Sequence, residues 1–321
     1  MEFTKDSLKI DCEKETIRLV EFMRETVIHS FKRGGAVVGI SGGIDSSVVA
    51  ALSARAFGPD KVIGISMPEK ESSEVSSPLA EELADKLGIT YMIEDITPVL
   101  EGAQTYKKRD NAIRELIPEY RDNWKCKIVL PQNLLEKGGL NFFSVVVESP
   151  DGQSISKRLP LKNYLAIVAA SNYKQRTRMM TLYYLAERNN YAVMGTGNKN
   201  EHDQGFFVKY GDGGADIKPI AHLYKTQVFQ LGEYLGVPKG ILERTPTTDT
   251  YSAEVTQEEF FFRLDFETMD LLWYALENNI PAEKAAEVLN ISTEQVQRAW
   301  RDITQKYRGT EYLRANPVEL E

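Results

Sequence analysis

Residues 37–50 read Val-Val-Gly-Ile-Ser-Gly-Gly-Ile-Asp-Ser-Ser-Val-Val-Ala, an apolar run that passes through a glycine pair into a second apolar run. This is the pattern of a buried strand turning directly into a helix, and it makes the turn a phosphate cradle. Gly39, Gly42 and Gly43 allow backbone N–H groups to approach an anion, while the helix adds unpaired amides and the positive end of its dipole. Ser41, Ser46 and Ser47 supply hydroxyls, and the Asp45 carboxylate has the ligand chemistry for Mg²⁺ held against phosphates. A lysine-bearing loop of the G-x-x-x-x-G-K-[ST] kind would point to terminal phosphoryl transfer, but no lysine stands here.

The flanking periodicities extend the picture. Apolar residues recur at helical spacing over residues 13–32, ending at Gly34-Gly35. Residues 62–67 read as a strand, 77–87 as a helix stopped by Gly88, and 91–96 as a third strand. A long helix is expected from residue 161 to 188, and a further strand over 191–194. Strands alternating with helices imply a doubly wound, mostly parallel α/β sheet whose ligands bind at the carboxyl ends of the strands. That rule gathers Ser41 to Ser47, Met67 and the turn at Thr196 on one rim.

Residues 105–160 break the pattern. A charged stretch, 107–127, precedes an expected hairpin with strands over 141–148 and 153–159, and the whole reads as an insertion on the α/β body. From about residue 250 to 321 the chain reads as helical: 256–277, 282–289 and 293–307, with Ser292 and Gln295 spaced as a capping box. The three phenylalanines at 260–262 read as core or dimer contact. All 321 residues are treated as one domain carrying these additions.

Composition narrows the function. A net charge of −8 and a pI near 5.2 argue against a nucleic-acid surface. Cys12 and Cys126 are too far apart for a metal or disulfide motif, and no run approaches the ~18 apolar residues of a membrane span. Reduced thiols and a charged amino terminus point to the cytoplasm.

The second half repeats the logic of the first, with a strand ending in the glycine turn Met194-Gly195-Thr196-Gly197-Asn198-Lys199-Asn200-Glu201. A loop at 209–219 holds Gly211, Gly213, Gly214, Asp212 and Asp216 among lysines, a composition of low packing value and high binding value. Lys225-Thr226 and Pro246-Thr247-Thr248-Asp249 follow.

The S-G-G-x-D-S string resembles the signature of the PP-loop ATP pyrophosphatases, which implies cleavage of ATP between its α- and β-phosphates. With QRTRM, GTGNKNE, KYGDGGADIKPI, LYKTQV and PTTD following in order, residues 16–249 resemble the ammonia-dependent NAD⁺ synthetase family. The resemblance implies an adenine-nucleotide α-hydrolase-like fold, a homodimer, and amidation of deamido-NAD⁺ by ammonia through an acyl-adenylate, with release of AMP and pyrophosphate. It also implies roles by motif position. Gly39, Ile40, Ser41, Gly42, Gly43, Ile44, Asp45, Ser46, Met67, Thr196, Lys225 and Thr247 would bind ATP, and Asp45 with Glu201 would hold Mg²⁺. Arg176, Lys209 and Asp216 would contact deamido-NAD⁺. Apart from the resemblance, charge chemistry offers two catalytic candidates: Lys225, to stabilise departing pyrophosphate, and Asp212, which either takes a proton from ammonium or only forms a turn through its own backbone. Arg178, about 200° from Arg176 on a helix, is expected to form a surface salt bridge.

About thirty residues precede the first strand, so no glutaminase domain is expected there and free ammonia is the expected nitrogen source, with a separate glutaminase as a further option. Where the family commonly has a His-Lys pair near its carboxyl end, Tyr312-Leu313 stands instead. Two other readings remain open at this point. One is a PP-loop amidoligase acting on a different carboxylate. The other is a nucleotide-sensing DNA-binding regulator, suggested by the helix-turn-helix look of residues 281–300 but opposed by their few cations.

Overall fold

The computed structural model describes residues 2–130, 134–135, 142–248 and 250–320. In chain order the strands are β1 (Ala36–Gly39), β2 (Val62–Ser66), β3 (Thr90–Ile93), β4 (Lys125–Val129), β5 (Ser144–Glu148), β6 (Ser154–Arg158) and β7 (Ala192–Met194). The first helices are α1 (Cys12–Arg24), α2 (Ile44–Phe57), α3 (Ser76–Leu87), α4 (Thr97–Gly102), α5 (Thr105–Arg114), α6 (Leu161–Asn189) and α7 (Lys199–Gln204). They are followed by α8 (Lys225–Leu235), α9 (Lys239–Leu242), α10 (Phe266–Glu277), α11 (Ala282–Leu289), α12 (Thr293–Gly309) and α13 (Glu311–Arg314).

A parallel sheet in the order β3-β2-β1-β7 forms the centre. Alternation along each strand splits its side chains between two cores. Ala36, Val38, Val62, Ala192 and Met194 pack with Leu19 and Met23 of α1, Leu52 of α2, Leu83 of α3 and Leu231 of α8. Val37, Ile65 and Val193 turn to the opposite face, against Leu100 of α4 and Leu185 of α6. Burial on both faces explains why these strands read as continuous apolar runs, and the doubly wound sheet matches the sequence expectation.

Other expectations are corrected in detail. The helix expected over 13–32 is regular only to Arg24; residues 25–30 widen into a π-helical turn, and Lys32 closes it with φ at 56°. The third strand ends at Ile93, because Ile96 instead donates its N–H to Pro68 O at 3.0 Å and begins α4. The helix expected over 256–277 is broken: Arg263 takes a left-handed φ of 66°, and Asp265 restarts the chain by accepting from Thr268 N–H at 2.8 Å. Ser292 and Gln295 do form the capping box of α12. The pair resembling a helix-turn-helix turns its apolar faces inward, with Ala285, Val296, Ala299 and Ile303 joining Leu272 and Trp273 of α10 in one core.

The insertion is richer than a hairpin. Its second sheet is antiparallel in the order β4-β5-β6, with Lys125 opposite Glu148 and Val129 opposite Ser144. The part of the expected first hairpin strand at Asn141 lies outside the described residues. Both α5 and β4 overlap the stretch that looked merely charged, and within it Arg109 and Asp110 are buried. Lys174 of α6, only 1% exposed, donates to Glu69 Oε1 and Glu71 Oε2 at 2.8 Å each and to Thr250 O at 2.9 Å. Arg109 of α5 grips Glu71 with both terminal nitrogens, at 2.6 and 2.8 Å, and donates to Asp110 at 2.8 Å. The Tyr106 hydroxyl donates to Glu69 at 2.6 Å. Burial alone would raise the Glu71 carboxyl, yet Arg109 and Lys174 hold it down at about 2.

Removing one partner from such a network leaves an uncompensated buried charge. Lys174→Met is expected to lower unfolding stability by roughly 3–5 kcal/mol in urea titration. A loss under 1 kcal/mol would mean that water already screens the cluster.

Candidate active site

β1 ends at Gly39, and the chain turns through Ile40 to Gly43 before α2 begins at Ile44 with no side-chain cap. The first amides of α2 therefore stay available to an anion. Gly42 sits at φ 71°, and a Cβ there would lie 2.6 Å from Ser76 O, so glycine alone fits. Ser46 Oγ donates to Gly43 O at 3.0 Å and stands 3.2 Å from Ser41 Oγ. Ser47 departs from expectation: it is fully buried and its hydroxyl donates to Gly43 O at 2.8 Å, so it shapes the turn instead of facing outward.

Ser41, Gly43, Ile44, Asp45 and Ser46 line a cavity of about 630 Å³ together with Thr196, Glu201, Lys225 and Thr247. A second cavity of about 170 Å³ is lined by Gly39, Ile40, Ser41, Met67 and Thr196 and has apolar walls at Ile65, Leu182 and Met194. Ser41, Thr196 and Asp212 border both, which makes them the junction. The carboxyl ends of β1, β2 and β7 thus share one rim, as the sheet rule requires.

The two halves of the chain are joined by charge at this rim. Lys225, the first residue of α8 and 1% exposed, donates from Nζ to Asp45 Oδ2, while Asn198 Nδ2 donates to Asp45 Oδ1 at 2.8 Å. Behind Lys225, Asn200 Oδ1 accepts from its backbone N–H at 3.1 Å and Asn200 Nδ2 donates to Asp270. Asp270 also accepts from Thr226 N–H at 2.9 Å, and its burial pushes its carboxyl up to about 6. Sequence reasoning missed Asp270, which sits in an apolar helix without any motif around it.

Glu201, in the first turn of α7, accepts from Gln257 Nε2 at 3.1 Å and from Asn198 N–H at 3.3 Å. The cavity walls enclose it, and that desolvation, with the Asp45 charge next, pushes its carboxyl up to about 8. Two carboxylates that repel each other across a cavity wall, each with a lone pair still open, fit a divalent cation. Among the described residues no group of three acidic, His or Cys side chains gathers, so further ligands would come from phosphates and water.

The loop after α7 carries Asp212. Its Oδ1 accepts from Val208 N–H at 2.8 Å, tying the loop, while the carboxyl borders both cavities and is raised chiefly by desolvation. Arg176 lines the larger cavity and donates to Lys209 O, at 3.3 and 3.4 Å. Among the described residues Arg178 makes no surface salt bridge: it lines the smaller cavity and donates to Met67 O at 3.1 Å, because α6 runs along the junction and presents both arginines. Asp216 lies outside both cavities. Its oxygens accept from Val193 N–H at 2.7 Å and the Tyr183 hydroxyl at 3.2 Å, so in this chain it clamps β7. Asp249 lies outside the described residues. Phe262 belongs to the core as expected, whereas Phe260 and Phe261 wall the larger cavity, Phe261 stacked on Phe206 and Phe260 tilted against it.

Lys209 reaches the carboxyl-terminal segment, donating to Tyr312 O at 2.9 Å and Ala315 O at 2.8 Å with its ammonium 4.4 Å from the Tyr312 ring centre. Arg314 donates to Asp203 O at 2.7 Å. Tyr312 and Leu313 thereby border the larger cavity.

With this geometry in view, a family model described as NAD synthase matches residues 15–130 and 132–317. The chain belongs to the NAD synthase family. It is 50% identical over 311 residues to the NH(3)-dependent NAD(+) synthetase of Mesorhizobium japonicum, covering 97% of each chain. It is 35% identical to the enzyme of that name from Thermotoga neapolitana, covering 81% of this chain and 83% of the relative. Among solved structures, the NH3-dependent NAD synthetase of Campylobacter jejuni superposes with a TM-score of 0.62 at 21% identity, covering 97% of this chain and all of the other. The NMN synthetase of Francisella tularensis gives 0.61 at 24% identity, covering 97% of this chain and 99% of that one. These two likenesses establish the family fold.

Two measurements probe this site. Gly42→Ala is expected to cost about 1–2 kcal/mol through its left-handed backbone, before any clash with Ser76, and to abolish ATP binding by calorimetry; unaltered affinity would mean that the turn is not the cradle. The raised Glu201 carboxyl means that the native state binds its proton more tightly than the unfolded state, so the metal-free protein loses stability as pH rises from about 4.5 to about 8. Glu201→Gln should flatten that slope in melting scans and remove the shift that Mg²⁺ produces, whereas parallel curves would contradict it.

Proposed function

We propose that this chain converts deamido-NAD⁺ to NAD⁺, using ATP to adenylate the nicotinate carboxyl and ammonia to displace AMP. One observation carries the reading beyond the family match. In a chain of net charge −8, Arg176, Arg178, Lys209, Lys218 and Arg244 all line the two cavities, and none has a carboxylate partner within ion-pair distance among the described residues. Such concentrated, unpaired cations suit a polyanionic pair of ligands, ATP and a dinucleotide. The smaller cavity, with Ile65, Leu182 and Met194 in its walls, suits the adenine of ATP, with the triphosphate running along Ser41 to Ser46 toward Lys225 and Thr247.

The chemistry follows from charge. A carboxylate repels a nucleophile, so its oxygen first attacks the α-phosphorus; the bond to the α,β-bridging oxygen breaks and its electron pair leaves with pyrophosphate. The amides at the start of α2 and the Lys225 ammonium stabilise that departing charge. A Mg²⁺ ion held by Asp45 and Glu201 would neutralise phosphate charge. Ammonia then attacks the acyl carbon, the bond to AMP breaks, and the surplus proton passes to Asp212, whose carboxyl is raised toward the range of a useful base. The Lys209-held tail closes the dinucleotide end.

Leu161, Leu165, Met180 and Tyr184 stand more than half exposed along α6, an apolar face suited to a two-fold partner, and the working unit is a homodimer in this reading. No helix among the described residues is long and apolar enough to cross a membrane, and we assign the enzyme to the cytoplasm, supplied by free ammonia or by a separate glutaminase.

Purified protein given ATP, ammonium and deamido-NAD⁺ should form AMP and NAD⁺ in equal amounts. Appearance of ADP, or turnover on other carboxylates alone, would overturn the reading. Asp212→Asn should lower kcat by roughly 10²- to 10⁴-fold, with the deficit shrinking as pH rises and free ammonia accumulates. Full turnover at every ammonium concentration would remove Asp212 from the mechanism.

A further inference from the structure

Arg244 follows α9 and precedes Thr247, in no motif that the sequence singled out. Its Nη1 donates to Gly42 O at 3.4 Å and its Nη2 to Ser76 Oγ at 3.1 Å, and it lines the larger cavity beside Ser41, Gly43 and Ser46. Both acceptors are neutral, and the first bond is at the long limit of hydrogen-bonding distance. Gly42 lies just before α2 and Ser76 opens α3, so the guanidinium sits at the amino ends of two helices. A cation in that position is opposed by both dipoles, and no carboxylate among the described residues offsets it. An anion between Arg244 and the glycine turn would reverse every one of these unfavourable terms.

We infer that Arg244 binds the β- and γ-phosphates of ATP and holds them as they leave as pyrophosphate. Lys225 cannot supply all of this charge, because its ammonium is engaged by Asp45. The planar fork of Arg244 can instead give two parallel N–H bonds to phosphate oxygens. As the α,β-bridging bond breaks, the electron pair passes to the pyrophosphate oxygen and Arg244 remains protonated throughout. The inference builds on ATP cleavage between the α- and β-phosphates as proposed above.

The test uses inorganic pyrophosphate and AMP as separate probes, titrated by calorimetry without deamido-NAD⁺ so that the identity of the carboxylate substrate plays no part. Arg244→Gln should weaken pyrophosphate binding roughly 10- to 100-fold, the range of a lost charged hydrogen bond, and leave AMP affinity and melting temperature unchanged. Arg244→Lys, which keeps the charge without the fork, should lose less. In turnover, Arg244→Gln should raise the inhibition constant of pyrophosphate in parallel. If AMP and pyrophosphate affinities fall together in both variants, Arg244 only shapes the glycine turn and the inference fails. It fails equally if pyrophosphate affinity does not change. Failure of the wild type to amidate deamido-NAD⁺, with pyrophosphate binding still lost in Arg244→Gln, would sink the substrate reading and leave this inference standing.

Discussion

The contact between α2 and α8 is the constraint on which the site depends. A Cβ on Gly232, about two turns along α8, would lie 2.6 Å from Ile44 Cδ1 at the start of α2, so the missing side chain lets the two helices pack closely. The ion pair at their amino ends then fixes the glycine turn from the first half against the ligands of the second. Buried pairs of this kind pay a desolvation penalty that their attraction does not always return. Here Asn198 donates to the second oxygen of Asp45, and Asn200 and Asp270 accept from the first backbone N–H groups of α8 behind Lys225.

A second set of buried charges ties the insertion to the same rim. Lys174 shares α6 with Arg176 and Arg178, and its bond to Thr250 O anchors the segment that leads back to Thr247. The antiparallel sheet β4-β5-β6 packs its apolar face on Tyr251 and Val255, so the insertion supports the cavity mouth from behind. Thr247 pairs with Thr256 in an isolated bridge, which in turn brings Gln257 to Glu201.

What could be read in the sequence was local. The strand, glycine turn and helix at 37–50 are contiguous, so this local geometry was legible without a structure. Glu201 was legible for the same reason, since it follows a second glycine turn at fixed spacing. The Glu69, Glu71, Arg109 and Lys174 cluster was not, because its members are scattered over more than a hundred positions and each alone looks like a solvated surface charge. Helix α5 was hidden by that same disguise: its inward stripe is Tyr106, Arg109, Asp110 and Ile113, and a polar stripe carries no hydrophobic period. Asp216 shows the reverse case: the composition of its loop suggests ligand contact, while its bonds to Val193 N–H and the Tyr183 hydroxyl have no local signal in the sequence.

Lys209 takes hold of the carboxyl-terminal segment through main-chain oxygens, those of residues 312 and 315. A grip on peptide oxygens does not depend on which side chains the held segment carries, although the Tyr312 ring adds a contact of its own. The end of the chain is therefore fastened mainly by its backbone, which leaves the side chains of Tyr312 and Leu313 at the cavity border.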